Sequence, residues 1–320
     1  MHKVHLTIDG HYVAVEPGTM IIEAAKKVDV HIPALCYDKD LPIVSSCRIC
    51  LFEVKGNNKL VASCATQVKE GMEVITNSER LMKARKAILQ TLLDNHPNDC
   101  LTCQKAGDCL LQKYSYDYGV KFRHHEGARR VEKAGFTDTS SPYILRDESK
   151  CILCGKCVRS CAQVADRAVL SFADRGFGTR IVADNGQTLE ESTCVSCNRC
   201  VAVCPVGALV DRRVYEQRIR KWTMHKKAVK CRACDYGCNM EILEDNGRVA
   251  VRAKAPSNGR PLCLRGRLFT EAEYNPALAP VIYKKVPRKH GRQFVETTWT
   301  DALGLDQVLQ NLPKTEMEKE

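Results

Sequence analysis

A chain of 320 residues that is 44% hydrophobic and 27% charged carries enough apolar side chain for two or three ordinary domains and too much to stay disordered. Its nineteen cysteines are too many for incidental core residues, and an odd number cannot all close into disulfides. Lysine plus arginine number 49 against 38 acidic residues, a formal charge of +11 that taken bare would suit a nucleic acid or an anionic membrane. The N-terminal stretch shows neither a basic-then-apolar signal peptide nor a twin-arginine pair. No segment approaches the uninterrupted apolar length of a membrane span. The expectation is a cytoplasmic chain with reduced thiols, and reduced cysteines at short regular spacings read as metal ligands rather than as a secreted disulfide scaffold.

In chain order, alternating Val4, Leu6 and Ile8 run into Asp9-Gly10 and then Tyr12, Val13 and Val15, a hairpin signal. Thr19 is placed to cap a helix from about Met20 to Lys27, with Ile21, Ile22, Ala25 and Val28 on its apolar side. Beyond a cysteine-bearing loop, Leu51–Lys55 and Lys59–Ser63 read as short strands around a Gly56-Asn57-Asn58 turn. Residues 1–78 thus predict a small mixed sheet crossed by one helix. Residues 79–145 open on a helix from Glu79 to about Asp94, with Leu81, Ala84, Ile88 and Leu92 at helical spacing, and His96-Pro97 stops it. The polar, basic stretch from His124 to Ser141 reads as surface loop, and the His124-His125 pair, with no third ligand nearby, as solvated. Residues 146–218 hold eight cysteines in two matching groups, the one internal repeat, and residues 219–273 hold the last four. Residues 274–320 form a Pro-punctuated tail with one short helix, about Trp299 to Leu312, and a charged end from Lys314 to Glu320.

The cysteines sort into ligand sets. Cys36-x10-Cys47-x2-Cys50-x13-Cys64 suits a 2Fe–2S cluster on a sheet-and-helix module, with structural zinc as the bland alternative. His96-x3-Cys100-x2-Cys103-x5-Cys109 offers three thiolates and one imidazole, which zinc or a 4Fe–4S cluster could use equally. Cys151-x2-Cys154-x2-Cys157-x3-Cys161 recurs as Cys194-x2-Cys197-x2-Cys200-x3-Cys204, followed by Pro205. This is the two-cluster ferredoxin run, in which the fourth cysteine of each group serves the other cluster. It assigns Cys151, Cys154, Cys157 and Cys204 to one cube, and Cys161, Cys194, Cys197 and Cys200 to the other. Cys231-x2-Cys234-x3-Cys238-x24-Cys263 alone could be a zinc ribbon, but its order after three cluster sites favours a fourth 4Fe–4S centre. No cysteine is left over. Metal-bound thiolates also change the charge: five such clusters carry roughly −9 together, leaving a holoprotein near +2 and demoting nucleic acid as a partner.

Taken together, these motifs resemble the N-terminal part of the large iron–sulfur subunit of respiratory complex I, a family shared with NAD-linked hydrogenases and formate dehydrogenases. The matching text is Cys47-Arg-Ile-Cys50-Leu-Phe-Glu-Val, Ser63-Cys64-Ala-Thr with Gly71-Met72, Asn95-His96-Pro97-Asn98-Asp99-Cys100-Leu-Thr-Cys103, Gly107-Asp108-Cys109 and Leu111-Gln112. The resemblance covers about residues 1–300 and implies iron–sulfur, not zinc, at the His96 set. Residues 220–300 look like the first domain of molybdenum–pterin enzymes, through the last four cysteines and the run Phe294-Val-Glu-Thr-Thr-Trp299-Thr-Asp-Ala-Leu303. They depart from it at Arg265, where formate dehydrogenases usually have lysine, and in the short length that follows Cys263.

The expected fold class is therefore α+β, a modular iron–sulfur protein. Its parts are a β-grasp 2Fe–2S ferredoxin domain (1–78), a helical 4Fe–4S domain with one histidine and three cysteine ligands (79–145), a bacterial two-cluster ferredoxin-like domain (146–218), a small β-rich 4Fe–4S domain (219–273) and a tail (274–320). The cofactors expected are one 2Fe–2S and four 4Fe–4S clusters. No catalytic residue, flavin site or pterin is expected in the chain, and no Gly-x-Gly-x-x-Gly follows a strand to bind a nucleotide. The resemblance implies an NAD(P)-binding flavoprotein with FMN, a thioredoxin-like 2Fe–2S subunit and a second catalytic redox subunit as partners. The whole would be a multi-subunit oxidoreductase of the kind that includes electron-bifurcating complexes. The competing readings are a zinc-bound interaction protein and the remnant of a molybdenum enzyme.

Overall fold

Strand β1 (Val4–Ile8) turns through Asp9 and Gly10, both at positive φ, into β2 (His11–Val15). Their alternation points Leu6, Ile8, Val13 and Val15 inward, where helix α1 (Ile21–Lys26) lays Ile21, Ile22, Ala24 and Ala25 over them. These are residues of a computed structural model that describes 3–97, 99–122, 137–219, 223–254, 262–275, 281–302 and 304–306. Strands β3 (Leu51–Val54), β4 (Val61–Ala62) and β5 (Met72–Ile75) complete a five-stranded sheet in the order β2-β1-β5-β3-β4, with β5 parallel to β1 and antiparallel to β3. Two sequence expectations need correction here. Thr19 does not cap α1, because its hydroxyl donates to the Glu16 carbonyl instead. The second strand of the 51–63 pair keeps only Val61 and Ala62 of the expected Lys59–Ser63, whereas the helix stands within one residue of its expected ends and Val28 packs on its apolar side.

Helix α2 (Glu79–Asp94) is capped by Ser78, whose Oγ accepts from the Leu81 amide at 3.2 Å. Its buried stripe is Leu81, Arg85 and Leu89, rotated from the purely apolar stripe that periodicity suggests. Arg85 is buried because its fork donates to the Leu51 carbonyl (2.6 Å) and the Tyr118 hydroxyl (3.1 Å). Helix α3 (Leu110–Asp117) packs on α2 and buries Leu111 and Tyr114.

A three-stranded sheet, β10-β7-β6 (Leu209–Asp211, Ile144–Asp147, Thr137–Asp138), carries helices α4 (Lys156–Gln163) and α5 (Arg199–Val203), with the hairpin β8–β9 (Leu170–Ala173, Arg180–Ala183) between them in sequence. The expected loop from His124 to Ser141 therefore ends in structure. Asp138 is buried and accepts from the Leu189 amide, whereas His124 and His125 lie outside the described residues. After α6 (Arg212–Glu216), strands β11 (His225–Lys230), β12 (Asn239–Asp245) and β13 (Arg248–Ala253) form a meander against α7 (Leu264–Tyr274). The tail holds a hairpin, β14–β15 (Ile282–Pro287, Arg292–Thr297), before the short helix α8 (Trp299–Ala302). Tyr143 packs edge-on against both Tyr283 and Phe294, seating that hairpin on the core. One core cluster joins Leu35 and Ile49 of the first sheet's cysteine loop, Leu89 of α2, Leu170 and Leu209 of the double-cysteine region and Leu268 of α7. The modules share an interior.

Candidate metal centres

The loop between α1 and β3 carries Cys36, Cys47 and Cys50, and Cys64 follows β4. Ser45 and Arg48 adopt left-handed backbone, which folds the loop back on itself. Cys50 Sγ lies 3.4 Å from Cys64 Sγ, the Cys47 amide 3.5 Å from Cys36 Sγ, and Ser45 Oγ 3.3 Å from Cys64 Sγ. Hydrogen bonding from Cys47 pulls the Cys36 thiol down to about 5, and Cys50 pulls Cys64 down to about 7. Their partners Cys47 and Cys50 are pushed up accordingly. Two of four thiols are thus held toward the thiolate form that iron requires.

At the second set, His96 follows α2 and is 7% exposed. Its Nδ1 lies 2.9 Å from the Pro97 carbonyl, so Nδ1–H is spent there and the buried Nε2 presents the lone pair. Burial lowers its pKa, favouring the neutral ring that a metal needs. Cys100 and Cys103 sit on a turn closed by the Asp99 carbonyl, and Cys109 begins α3. Lys150, paired to Asp99 at 3.0 Å and Asp147 at 3.1 Å, lies beside them. A Cβ on Gly207 would stand 2.8 Å from Cys103 Sγ, so only glycine lets the chain after Cys204 approach this set.

The repeat in the third region extends to backbone conformation. Leu153 and Gly155 in one loop, and Ser196 and Asn198 in the other, occupy the same two offsets at positive φ. The Leu153 amide lies 3.4 Å from Cys151 Sγ and the Ser196 amide 3.4 Å from Cys194 Sγ. Cys151, Cys154, Cys157 and Cys204 line one cavity; Cys161, Cys194, Cys197 and Cys200 line a second, and both share Leu170 and Leu209 as walls. Burial pushes Cys154 up to about 12 and Cys194 up to about 11, and Cys157 and Cys200 well above the ordinary thiol value. A thiolate in such a pocket needs a cation to hold it.

In the fourth set, Cys231 follows β11 and Cys263 caps α7, accepting from the Gly266 amide at 3.3 Å. The Ala233 amide repeats the same offset to Cys231 Sγ at 3.4 Å. A Cβ on Gly266 would meet both Cys231 Sγ (2.8 Å) and Cys263 Sγ (3.4 Å), so this glycine draws the two ends of the set together. Cys234 and Cys263 are exposed.

These donor sets fit clusters by their chemistry. Amides aimed at sulfur recur in three Cys-x2-Cys loops, and such hydrogen bonds tune cluster potentials. Arg199 also lines the second cavity. It is 1% exposed; Nε donates to Ser160 Oγ at 3.0 Å while, among the described residues, the buried Nη1 and Nη2 have no hydrogen-bond partner. Burying a guanidinium is costly; Asp38 and Asp40 favour its charge, and an anionic cluster beside it would add to them. Sequence reading missed Arg159, Arg199 and Lys285, the last of which donates to the Cys194 carbonyl at 3.1 Å. The signal for the first two was a basic residue within two positions of a ligand cysteine.

Residues 1–79 match a 2Fe-2S iron-sulfur cluster binding domain, 85–124 the NADH-ubiquinone oxidoreductase-G iron-sulfur binding region, and 145–211 a 4Fe-4S dicluster domain. The NADP-reducing hydrogenase subunit HndD of Solidesulfovibrio fructosivorans is 40% identical over 217 residues, 66% of this chain and 36% of that protein. The mitochondrial NADH-ubiquinone oxidoreductase 78 kDa subunit of Candida albicans is 38% identical over 310 residues, 94% of this chain and 41% of that protein. The chain thus spans well under half the length of these curated relatives. A chain in the crystal structure of an NAD+-reducing NiFe-hydrogenase in the H2-reduced state superposes with a TM-score of 0.59 at 32% identity, over 65% of this chain and 87% of that one. With the three modules in this order and that coverage, the chain belongs to the family of iron–sulfur subunits that includes the complex I large subunit and those of NAD(P)-linked hydrogenases.

Proposed function

We propose that this chain is the electron-conducting subunit of an NAD(P)-linked oxidoreductase, carrying electrons between an FMN-bearing, NAD(P)-binding flavoprotein and a second catalytic redox subunit. The observation that carries this reading is the pair of cavities that share Leu170 and Leu209, each lined by three cysteines of one loop and the fourth of the other. A purely structural metal site has no use for a neighbour that close; a relay does. When bound, the clusters supply one-electron carriers. The chain's own part is to set their potentials through ligand type, amide donors, burial and nearby guanidinium groups.

In the finer assignment, Cys36, Cys47, Cys50 and Cys64 hold 2Fe–2S in a β-grasp unit (1–78). His96, Cys100, Cys103 and Cys109 hold 4Fe–4S (79–145). The crossed cysteines hold two cubes (146–218), and Cys231, Cys234, Cys238 and Cys263 hold a fourth 4Fe–4S cluster in a unit like the first domain of molybdopterin oxidoreductases (219–273). The second redox subunit is a formate dehydrogenase, a hydrogenase or a bifurcating transhydrogenase, with a thioredoxin-like 2Fe–2S subunit beside the flavoprotein. Among the described residues no helix is long and apolar enough to cross a membrane. Anaerobic isolation with iron, sulfide and zinc analysis tests the reading. It expects a brown protein with about 18 irons per chain; a colourless protein with stoichiometric zinc would replace the relay with a structural role.

A further inference from the structure

Arg159 occupies the junction between the first cysteine loop and the double-cysteine region. It is 8% exposed and lies on α4 between Cys157 and Cys161. Its fork is fully used, and every acceptor is a main-chain carbonyl. Nη2 donates to the Cys36 carbonyl at 2.7 Å and to the Cys154 carbonyl at 3.2 Å; Nη1 donates to Pro42 at 2.5 Å, and Nε to Gly155 at 3.2 Å. One nitrogen thus ties a ligand residue of the first set to a ligand residue of the Cys151 set. Lys156 reinforces the seam from the same helix, pairing with Asp38 at 3.2 Å. Among the described residues no carboxylate forms an ion pair with Arg159, and its guanidinium lies between the loop that carries Cys36 and the loop that carries Cys154.

We propose that Arg159 is the positioning residue that couples the 2Fe–2S site to the cube held by Cys151, Cys154, Cys157 and Cys204, fixing the two loops against each other and raising both reduction potentials. This rests on the relay reading above. An electron crossing the seam oxidises one site by one electron and reduces the other by one, and no proton or bond changes hands. Reduction makes each site more negative, and a permanent cation between them favours that state at both. The planar fork matters separately from the charge, because a point ammonium cannot hold four carbonyls from two loops at once.

The test uses the intact, iron-loaded chain with Arg159→Gln and Arg159→Lys, reading iron content, the midpoint potentials of the 2Fe–2S and cube signals by paramagnetic resonance, and electron redistribution between them after a pulse of photoreductant. Arg159→Gln should shift both reduction equilibria about tenfold toward the oxidised form, about 59 mV for one electron, and leave the His96-site potential unmoved. Arg159→Lys should restore the potentials while redistribution stays slow by about tenfold. Full clusters at unchanged potentials in Arg159→Gln would overturn the proposal. If Arg159→Gln fails to hold clusters, Arg159→Lys decides: slowed redistribution at normal potentials supports positioning, and wild-type redistribution in Arg159→Lys refutes it. A wild-type chain that binds zinc instead would sink the relay reading itself, an outcome visible before either variant is made.

Discussion

Gly207 is, with Gly266, one of the two tightest steric constraints on the centres, and Gly207→Ala isolates it. The added methyl would lie 2.8 Å from Cys103 Sγ, 3.3 Å from Lys150 Cδ and 3.4 Å from Lys105 Cβ. Gly207 is not at positive φ, so the substitution introduces no backbone strain and the effect is purely one of space. Comfortable contact begins near 3.5 Å, so the sulfur must retreat by about 0.7 Å or the loop after Cys204 must lift away. Metal–ligand distances tolerate only about 0.2 Å. The lysine stems can yield, but Cys103 is held by its amide on the Asp99 carbonyl at 2.9 Å, and overpacking of this kind costs about 1–3 kcal/mol. The cluster at His96, Cys100, Cys103 and Cys109 should therefore be lost or displaced, with iron falling by about four of about 18 per chain. The 2Fe–2S signal and at least one cube signal should persist. Iron analysis and paramagnetic resonance of the purified variant give the answer. Full iron with an unchanged His96-site signal would show that Cys103 does not lie against Gly207 once iron is bound, and the placement of this centre beside the Cys204 loop would be wrong.

Three further outcomes follow from the same geometry. His96→Ala should disturb one 4Fe–4S signal selectively while the crossed pair persists, since only the imidazole completes that set; unchanged spectra would make His96 an ordinary helix-end residue. Arg85→Met should cost about 1–3 kcal/mol in denaturant unfolding, because the buried Leu51 carbonyl loses its 2.6 Å donor, and a change under about 0.5 kcal/mol, the usual surface effect, would place that carbonyl in water. The isolated chain should not be bleached rapidly by NADH, since splitting a hydride into single electrons is flavin chemistry. Adding a flavoprotein partner should allow reduction, and Cys151→Ser should slow onward transfer without affecting flavin reduction by the nucleotide.

Local patterns carried much of the fold. The Asp9-Gly10 turn and the Glu79–Asp94 helix stand where alternation and helical periodicity put them, because both signals are complete within a short stretch. Strand β5 was not legible in the same way. It is four residues long, half its face is solvated, and its partner β1 is more than sixty residues away in sequence, so its existence depends on a pairing that no local propensity encodes. The tail hairpin hid behind Pro287, which reads as a breaker but sits harmlessly at the end of β14. At the centres, the doubled spacing grouped the cysteines that the fold gathers around two cavities, because a Cys-x2-Cys loop is a short-range constraint. The arginines stayed invisible because their acceptors come from distant segments: Leu51 for Arg85, Cys36 and Pro42 for Arg159, Asp211 for Arg267.

That blind spot bears on the charge of the whole chain. Read from composition, +11 suggests a basic surface. Several of the cations contributing to it are inside. Arg267 and Arg146 are buried against carboxylates, Asp211 and Glu271 in the first case and Glu148 in the second. These charges are met by acids in the interior. Arg159 and Arg199 are also buried, and among the described residues neither forms an ion pair with a carboxylate; Arg159 donates to carbonyls of two cysteine loops, while Arg199 lines a cysteine cavity with Asp38 and Asp40 near enough to favour its charge. An unpaired interior guanidinium costs several kcal/mol unless an anion faces it. The formal count treats all nineteen thiols as neutral. Five clusters carrying roughly −9 would both lower the net charge to near +2 and place the negative charge beside Arg159 and Arg199, where the fold has already buried its counterpart.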